Sequence, residues 1–214
     1  MSNSSSVPAT VSHDVITAMG HLHVTDRPGD APPLILLHGF PDDSKAYDRI
    51  GPLLAPHRVV AVDWLGYGQS EPSAVADFAA SHHQHQLMAV LDALNIGQAT
   101  LVAHDASGPD AIDFAASQPK RVDHLVLLNT YYGHARTLRF PEMIRLLADP
   151  AFKPLANAML DDTNQRLWLV MHTARMFGLD PDDPDGVGVA LIKEAVTKSR
   201  LSSATGSGRH AAPQ

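Results

Sequence analysis

The segment Leu101-Val-Ala-His-Asp-Ala-Ser-Gly108 places one aspartate between an aliphatic run and a stretch of small residues that opens a helix. A side chain at such a strand-to-helix turn stands above the carboxyl edge of a parallel sheet, and the tightness of the turn requires small neighbours. Ala103 and Ser107 lie two positions either side of Asp105, so the pattern reads small-x-Asp-x-small. A carboxylate held there can attack a saturated carbon to form an alkyl-enzyme ester, which water then hydrolyses with the help of a base. The same aspartate could instead cap the helix that follows, a common use of the residue.

A second segment, Leu36-Leu-His-Gly-Phe-Pro41, ends another aliphatic run in a His-Gly turn. Glycine lets the backbone turn tightly and present an amide towards a nucleophile. The amides of Phe40 and Ala106 then form an oxyanion hole beside Asp105; an ordinary strand-end turn is the alternative. The third segment, Val62-Asp-Trp-Leu-Gly-Tyr-Gly-Gln-Ser70, contains Gly-x-Gly-x-Ser. A dinucleotide loop needs a third glycine and an immediately following helix, so no nucleotide cofactor is expected. His82 and His85 share one helical turn, but a metal needs a further ligand, and a solvated helix start is the plainer reading.

The elements that must position these residues follow from the hydrophobic pattern. Val15 to Met19 and His21 to Thr25 read as a hairpin around Gly20, after a polar leader over residues 1–13. Leu34 to Leu37, Val59 to Val62, Ala99 to Ala103 and His124 to Leu128 are aliphatic runs of strand length. Ser44 to Leu54, with Tyr47, Ile50 and Leu53 three apart, reads as a helix, as do His82 to Leu94 and Pro109 to Ser117. Strand and helix alternate, which predicts an α/β fold with a mostly parallel sheet and right-handed crossovers. After Asn129 only helical patterns remain, at Pro141 to Leu147, Pro154 to Met159, Gln165 to Met176 and Val189 to Val196, and the stretch 202–214 reads as a flexible tail. The expected organisation is a core over 14–130, a helical region over 131–201 and the tail.

Composition bounds the function. A chain of 214 residues with 44% hydrophobic and 18% charged content is long enough for one globular domain with a sizeable core. Sixteen basic against twenty-three acidic residues, a net charge of −7, give no general attraction to nucleic acid or anionic membrane. The absence of cysteine excludes disulfides, thiolate metal sites and a cysteine nucleophile. The Ser/Asn-rich start carries no basic and apolar signal pattern and no run reaches membrane-span length, so the expectation is a cytoplasmic protein acting on a small molecule.

Taken in order and spacing, His38-Gly-Phe-Pro41, Asp63 to Ser70, Ala103-His-Asp-Ala-Ser-Gly108 and Val122-Asp-His-Leu-Val-Leu-Leu-Asn129 resemble the α/β-hydrolase fold, within it the epoxide hydrolase and haloalkane dehalogenase branch. The resemblance covers about residues 14 to 180. It implies that Asp105 is the nucleophile, that a helical cap follows the core, and that His38, His104, Tyr131 and Tyr132 line the substrate pocket, the tyrosines as donors to an epoxide oxygen. Dehalogenases of this branch commonly carry tryptophan after the nucleophile to hold the departing halide; here that position is Ala106, whose side chain has no N–H.

The resemblance also implies a catalytic acid and a base histidine on loops after later strands. No such strands are visible, so the fold reads as C-terminally truncated, and His210 stands in the tail without a strand to position it. Three function classes follow: an aspartate-nucleophile hydrolase of epoxides or alkyl halides, a truncated or degenerate hydrolase without turnover, and a non-catalytic ligand-binding protein. With no base in view, turnover is expected to be very low or absent. The strand His124 to Leu128 is then an uncovered edge, and self-association through it is expected unless the residues after Gly186 fold back over it.

Overall fold

The computed structural model describes residues 9–40, 42–73, 81–133 and 149–176. Two compact units divide the chain, residues 1–135 and 136–214. In the first, aliphatic runs bounded by turn-formers become strands, because pairing alone satisfies their backbone once the side chains leave water. These strands are β1 (Val11–Thr17), β2 (Gly20–Arg27), β3 (Ala31–Leu37), β4 (His57–Val62), β5 (Glu71–Pro72), β6 (Ala99–His104) and β7 (Val122–Leu128). They form one sheet in the order β1-β2-β4-β3-β6-β7, with β5 paired to β2. β4, β3, β6 and β7 are mutually parallel; the pairings of β2 with β1, β4 and β5 are antiparallel.

Two helices of this unit are α1 (Ser81–Ala93) and α2 (Ser107–Ser117). Pleating sends alternate residues to opposite faces. Ile35, Leu37, Val60, Val62, Leu101 and Ala103 join Leu87, Val90 and Leu91 of α1 and Phe114 of α2 in the larger core. Leu36, Val59 and Ala61 point the other way into a much smaller cluster, with Tyr47 and Leu54 packed against it.

Three sequence expectations are corrected here. The first strand begins at Val11, so the leader does not reach residue 13; Ser12, His13 and Asp14 hide the strand by being polar on an edge that faces water. The hairpin turn is Ala18-Met19, not Gly20, closed by the Thr17 hydroxyl on the Gly20 carbonyl at 2.9 Å. Ser44 to Leu54 is not one helix but two 3-10 turns, Ser44–Tyr47 and Gly51–Leu54. Pro52 brings no N–H to an α-helical ladder and disfavours the α conformation at the residue before it.

β7 is the outermost strand at its end of the sheet among the described residues, and Val126, Leu127 and Leu128 are 41%, 42% and 42% exposed. In the second unit a 3-10 turn (Pro150–Phe152) leads into α3 (Lys153–Asp161) and α4 (Thr163–Met176), which pack on each other. The helices expected at Pro141 to Leu147 and Val189 to Val196, the 202–214 tail and His210 lie outside the described residues. Among those described, no helix is long and apolar enough to cross a membrane.

Candidate active site

The turn between β6 and α2 is set by Asp105, which takes a left-handed φ of 51°. That conformation strains any residue with a Cβ, so something must hold it. The Asp105 amide donates to the Leu128 carbonyl at 3.1 Å, and the Thr130 hydroxyl donates to the Asp105 carbonyl. On the other side the Ser107 hydroxyl reaches the Leu37 carbonyl at 2.8 Å and accepts from the His104 amide at 3.1 Å. The turn is thus tied to the ends of β3 and β7 at once. A Cβ at Gly108 would lie inside contact distance of the Thr130 side chain, which is why the position after Ser107 must be glycine.

The Asp105 carboxylate does not cap α2: its Oδ2 accepts from the Phe40 amide at 3.0 Å. Gly39 permits this approach, since a Cβ there would stand 2.5 Å from the Asp105 Cβ and 2.7 Å from Oδ2. No partner among the described residues holds Oδ1. One carboxylate oxygen is therefore pinned by a backbone donor while the other is unengaged among the described residues.

Beside this turn lies a shallow cleft open to solvent, lined by His38, Phe40, Trp64, Tyr67, His83 and Ala106 among others. Tyr67 meets the rings of His38 and Phe40 edge-on, at centroid distances of 5.3 and 6.4 Å, and Trp64 lies against His83 at 4.6 Å. His38 is 2% exposed; its Nδ1–H donates to the Gly39 carbonyl at 2.8 Å and its Nε2 accepts from the Trp64 amide at 3.2 Å. Burial lowers its pKa to about 4, against the opposing pull of the Gly39 hydrogen bond and the Asp63 charge. His38 is accordingly a neutral strut of the cleft wall with both nitrogens engaged.

His104 is partly buried and interacts electrostatically with Asp42. Burial holds the Asp42 carboxyl above the ordinary carboxylate range, with His104 opposing and Asp105 adding to the rise. Tyr131 is half-buried; burial first, then the charges of Asp105 and Asp110, keep its hydroxyl protonated above the usual range. Tyr132 does not share this environment. It is 61% exposed and its hydroxyl donates to the solvent-exposed Asp113 carboxylate of α2 at 2.8 Å.

The Gly-x-Gly-x-Ser loop has an internal anion of its own. Asp63, almost fully buried, accepts from the Ser44 amide at 2.7 Å, the Gln69 amide at 2.8 Å and His23 Nδ1 at 3.2 Å. Its donors wrap a carboxylate of the chain, which is a structural use of the glycines. His82 and His85 have ring centroids 6.3 Å apart, and among the described residues no group of three or more His, Asp or Glu side chains could hold a metal ion.

Sequence reasoning missed Asp42, the aromatic wall of Trp64 and Tyr67, and above all the pairing of His83 with Asp110, whose Nδ1 and Oδ2 are 2.7 Å apart across α1 and α2. Only the spacing of His82 and His85 drew the eye, whereas His83 is the histidine of that run that lines the cleft.

Comparison with known proteins agrees with this architecture. The alpha/beta hydrolase fold family matches residues 32–165. A haloalkane dehalogenase of Mycolicibacterium paratuberculosis is 33% identical over 141 residues, 64% of this chain and 47% of that protein. An epoxide hydrolase of Caballeronia sordidicola is 37% identical over 112 residues, 51% of this chain and 34% of its own. The chain thus spans half or less of the length of these curated relatives. Among solved structures, the haloalkane dehalogenase DatA of Agrobacterium tumefaciens C58 superposes with a TM-score of 0.63 at 20% identity, over 93% of this chain and 67% of that one, a likeness of fold. A positive-φ turn between β6 and α2, set on a sheet of this order and matched by the family over residues 32–165, makes the chain a member of the α/β-hydrolase fold family.

Proposed function

We propose that the protein is a hydrolase in which Asp105 attacks a small apolar electrophile, an epoxide in the first place and an alkyl halide in the second, to give an alkyl-enzyme ester. The observation that carries this reading is the Phe40 amide on Asp105 Oδ2 at a positive-φ turn. It leaves Oδ1 as the attacking atom and keeps a backbone donor on the oxygen that becomes the ester carbonyl.

In epoxide opening, Oδ1 bonds to a ring carbon, that carbon's bond to the ring oxygen breaks, and the oxygen takes a proton. Tyr131, whose hydroxyl burial and the nearby carboxylates keep protonated, is the donor this reading assigns. Tyr132 has no part in it. A halide would find no N–H on the Ala106 side chain, which is why the epoxide is favoured. Relatives of the chain bear the names of both activities.

Incubation with propylene oxide or ethyl bromide, followed by intact-mass and peptide mass spectrometry, tests the reading. A single adduct of substrate mass on Asp105, lost in Asp105→Ala, is the expected result. Saturable binding with no adduct would replace the hydrolase reading with that of a ligand-binding protein.

A further inference from the structure

We infer that β7 is a self-association surface on which a second copy of the chain pairs antiparallel, about a two-fold axis at Val126. The Asp105 amide donates to the Leu128 carbonyl, so Leu128 turns its backbone inward to β6. Successive residues of a strand direct their backbone groups to opposite sides, and the register is unbroken from Leu101 opposite Leu125 to His104 opposite Leu128. Val126 therefore faces inward, and Leu125 and Leu127 outward. No described residue pairs with the outward N–H and C=O groups of those two leucines.

The side chains of the strand are as open as its backbone. Ala61, Leu36, Val102 and Val126 form one row across β4, β3, β6 and β7, in which Leu36 is buried and Val126 is exposed, so the row runs from covered to uncovered and stops. On the opposite face Leu125 packs against the larger core while Leu127 stands exposed. The other outer strand is unlike this one. β1 presents Ser12, His13 and Asp14, the last two engaging Asp26 and His21 of β2, and polar, ionisable groups on an edge discourage a visiting strand. This sets β7 against β7, and a surface that meets its own copy closes at two chains.

Charge and apolar matching select the register. A centre at Asp123 would set that carboxylate against itself, and one at His124 would do the same to the imidazole. A centre at Leu125 would lay Asp123 beside Leu127. With the axis at Val126, Leu125 exchanges both backbone hydrogen bonds with Leu127 of the second copy, on either side of the axis, and Val126 meets Val126. Asp123 then lies past the end of the second copy's β7, in water, because Asn129 leaves the strand at a positive φ of 44°.

The chain has no cysteine, so a single introduced thiol reports position without interference. Val126→Cys would face itself across the axis at about 4.5 Å between Cα atoms, within disulfide reach. Mild oxidation of the full chain should link it into dimers at least about 10-fold faster than Ile16→Cys, a more exposed position on the β1 edge, because pairing holds the two thiols at a high effective concentration. In the wild type, light scattering should level off at two chains. The amides of Leu125 and Leu127 should also exchange with solvent more slowly in concentrated than in dilute protein. That exchange needs no variant, so it decides the matter if Val126→Cys does not fold. A mass that climbs past two chains would overturn the two-fold pairing in favour of an open array of β7 on β1. A monomer at every concentration, with both thiols linking at the same slow rate, would overturn the interface itself.

Discussion

Burial of His38 between the Gly39 carbonyl and the Trp64 amide links the cleft wall to pH. In the unfolded chain the imidazole titrates at its ordinary 6.5, in the folded protein at about 4. Between those values the unfolded state binds a proton that the folded state does not, so stability rises with pH there. The contribution is full above 6.5 and is lost as pH falls towards 4, by an amount on the order of 3 kcal/mol. Asp42 has the opposite sign: its raised pKa adds stability in acid that disappears as pH climbs through that value. Thermal unfolding followed from pH 7 down to 4 should show a falling midpoint, with a shallower slope in His38→Gln; parallel curves would remove His38 as the cause. At this scale the Asp105 turn and its Phe40 partner could be picked out from the chain because each turn pattern is local. His83 and Asp110 could not, since 27 residues separate them and only the packing of two helices brings them together.

The elements obey the same division between local and assembled information. Parallel strands announced themselves as aliphatic runs, and α1 and α2 as apolar stripes, because burial on two faces or one leaves a direct mark on residue type. The polar β1 and the two-residue β5 left no such mark, and the apolar spacing of Tyr47, Ile50 and Leu53 around Pro52 spoke for one helix that the proline interrupts. β7 shows the reverse conflict. Val126, Leu127 and Leu128 have the composition of an inner strand yet stand 41% to 42% exposed, with no strand beyond β7 among the described residues. An apolar edge of this kind recruits another strand, and a second copy of the chain carries the same one. Light scattering after size exclusion should therefore give a mass that grows with protein concentration, and Val126→Lys with Leu128→Lys should suppress the growth. A concentration-independent monomer would mean that the edge is covered.

Across the whole molecule, alternation of strand and helix was enough to predict a mostly parallel sheet, but not its order β4-β3-β6, which depends on how crossovers pass over the two faces. Nor did any local pattern reveal how unequal those faces are, a large cluster under α1 and α2 against three buried residues on the other side. The meeting of Phe40 with Asp105 is a product of that order. The two lie 65 positions apart, just past the ends of neighbouring strands β3 and β6 whose contact closes a long loop. Loops of this length form late and slowly, because chain entropy is lost before any contact compensates it. The hydrogen bond that pins Oδ2 is therefore absent from every partly folded form in which β6 has yet to dock on β3. Under the proposed function, reactivity towards an electrophile would then act as a proofreading mark on the chain: a misassembled copy carries the same aspartate but holds it in water, as an ordinary carboxylate with nothing to distinguish it from the rest.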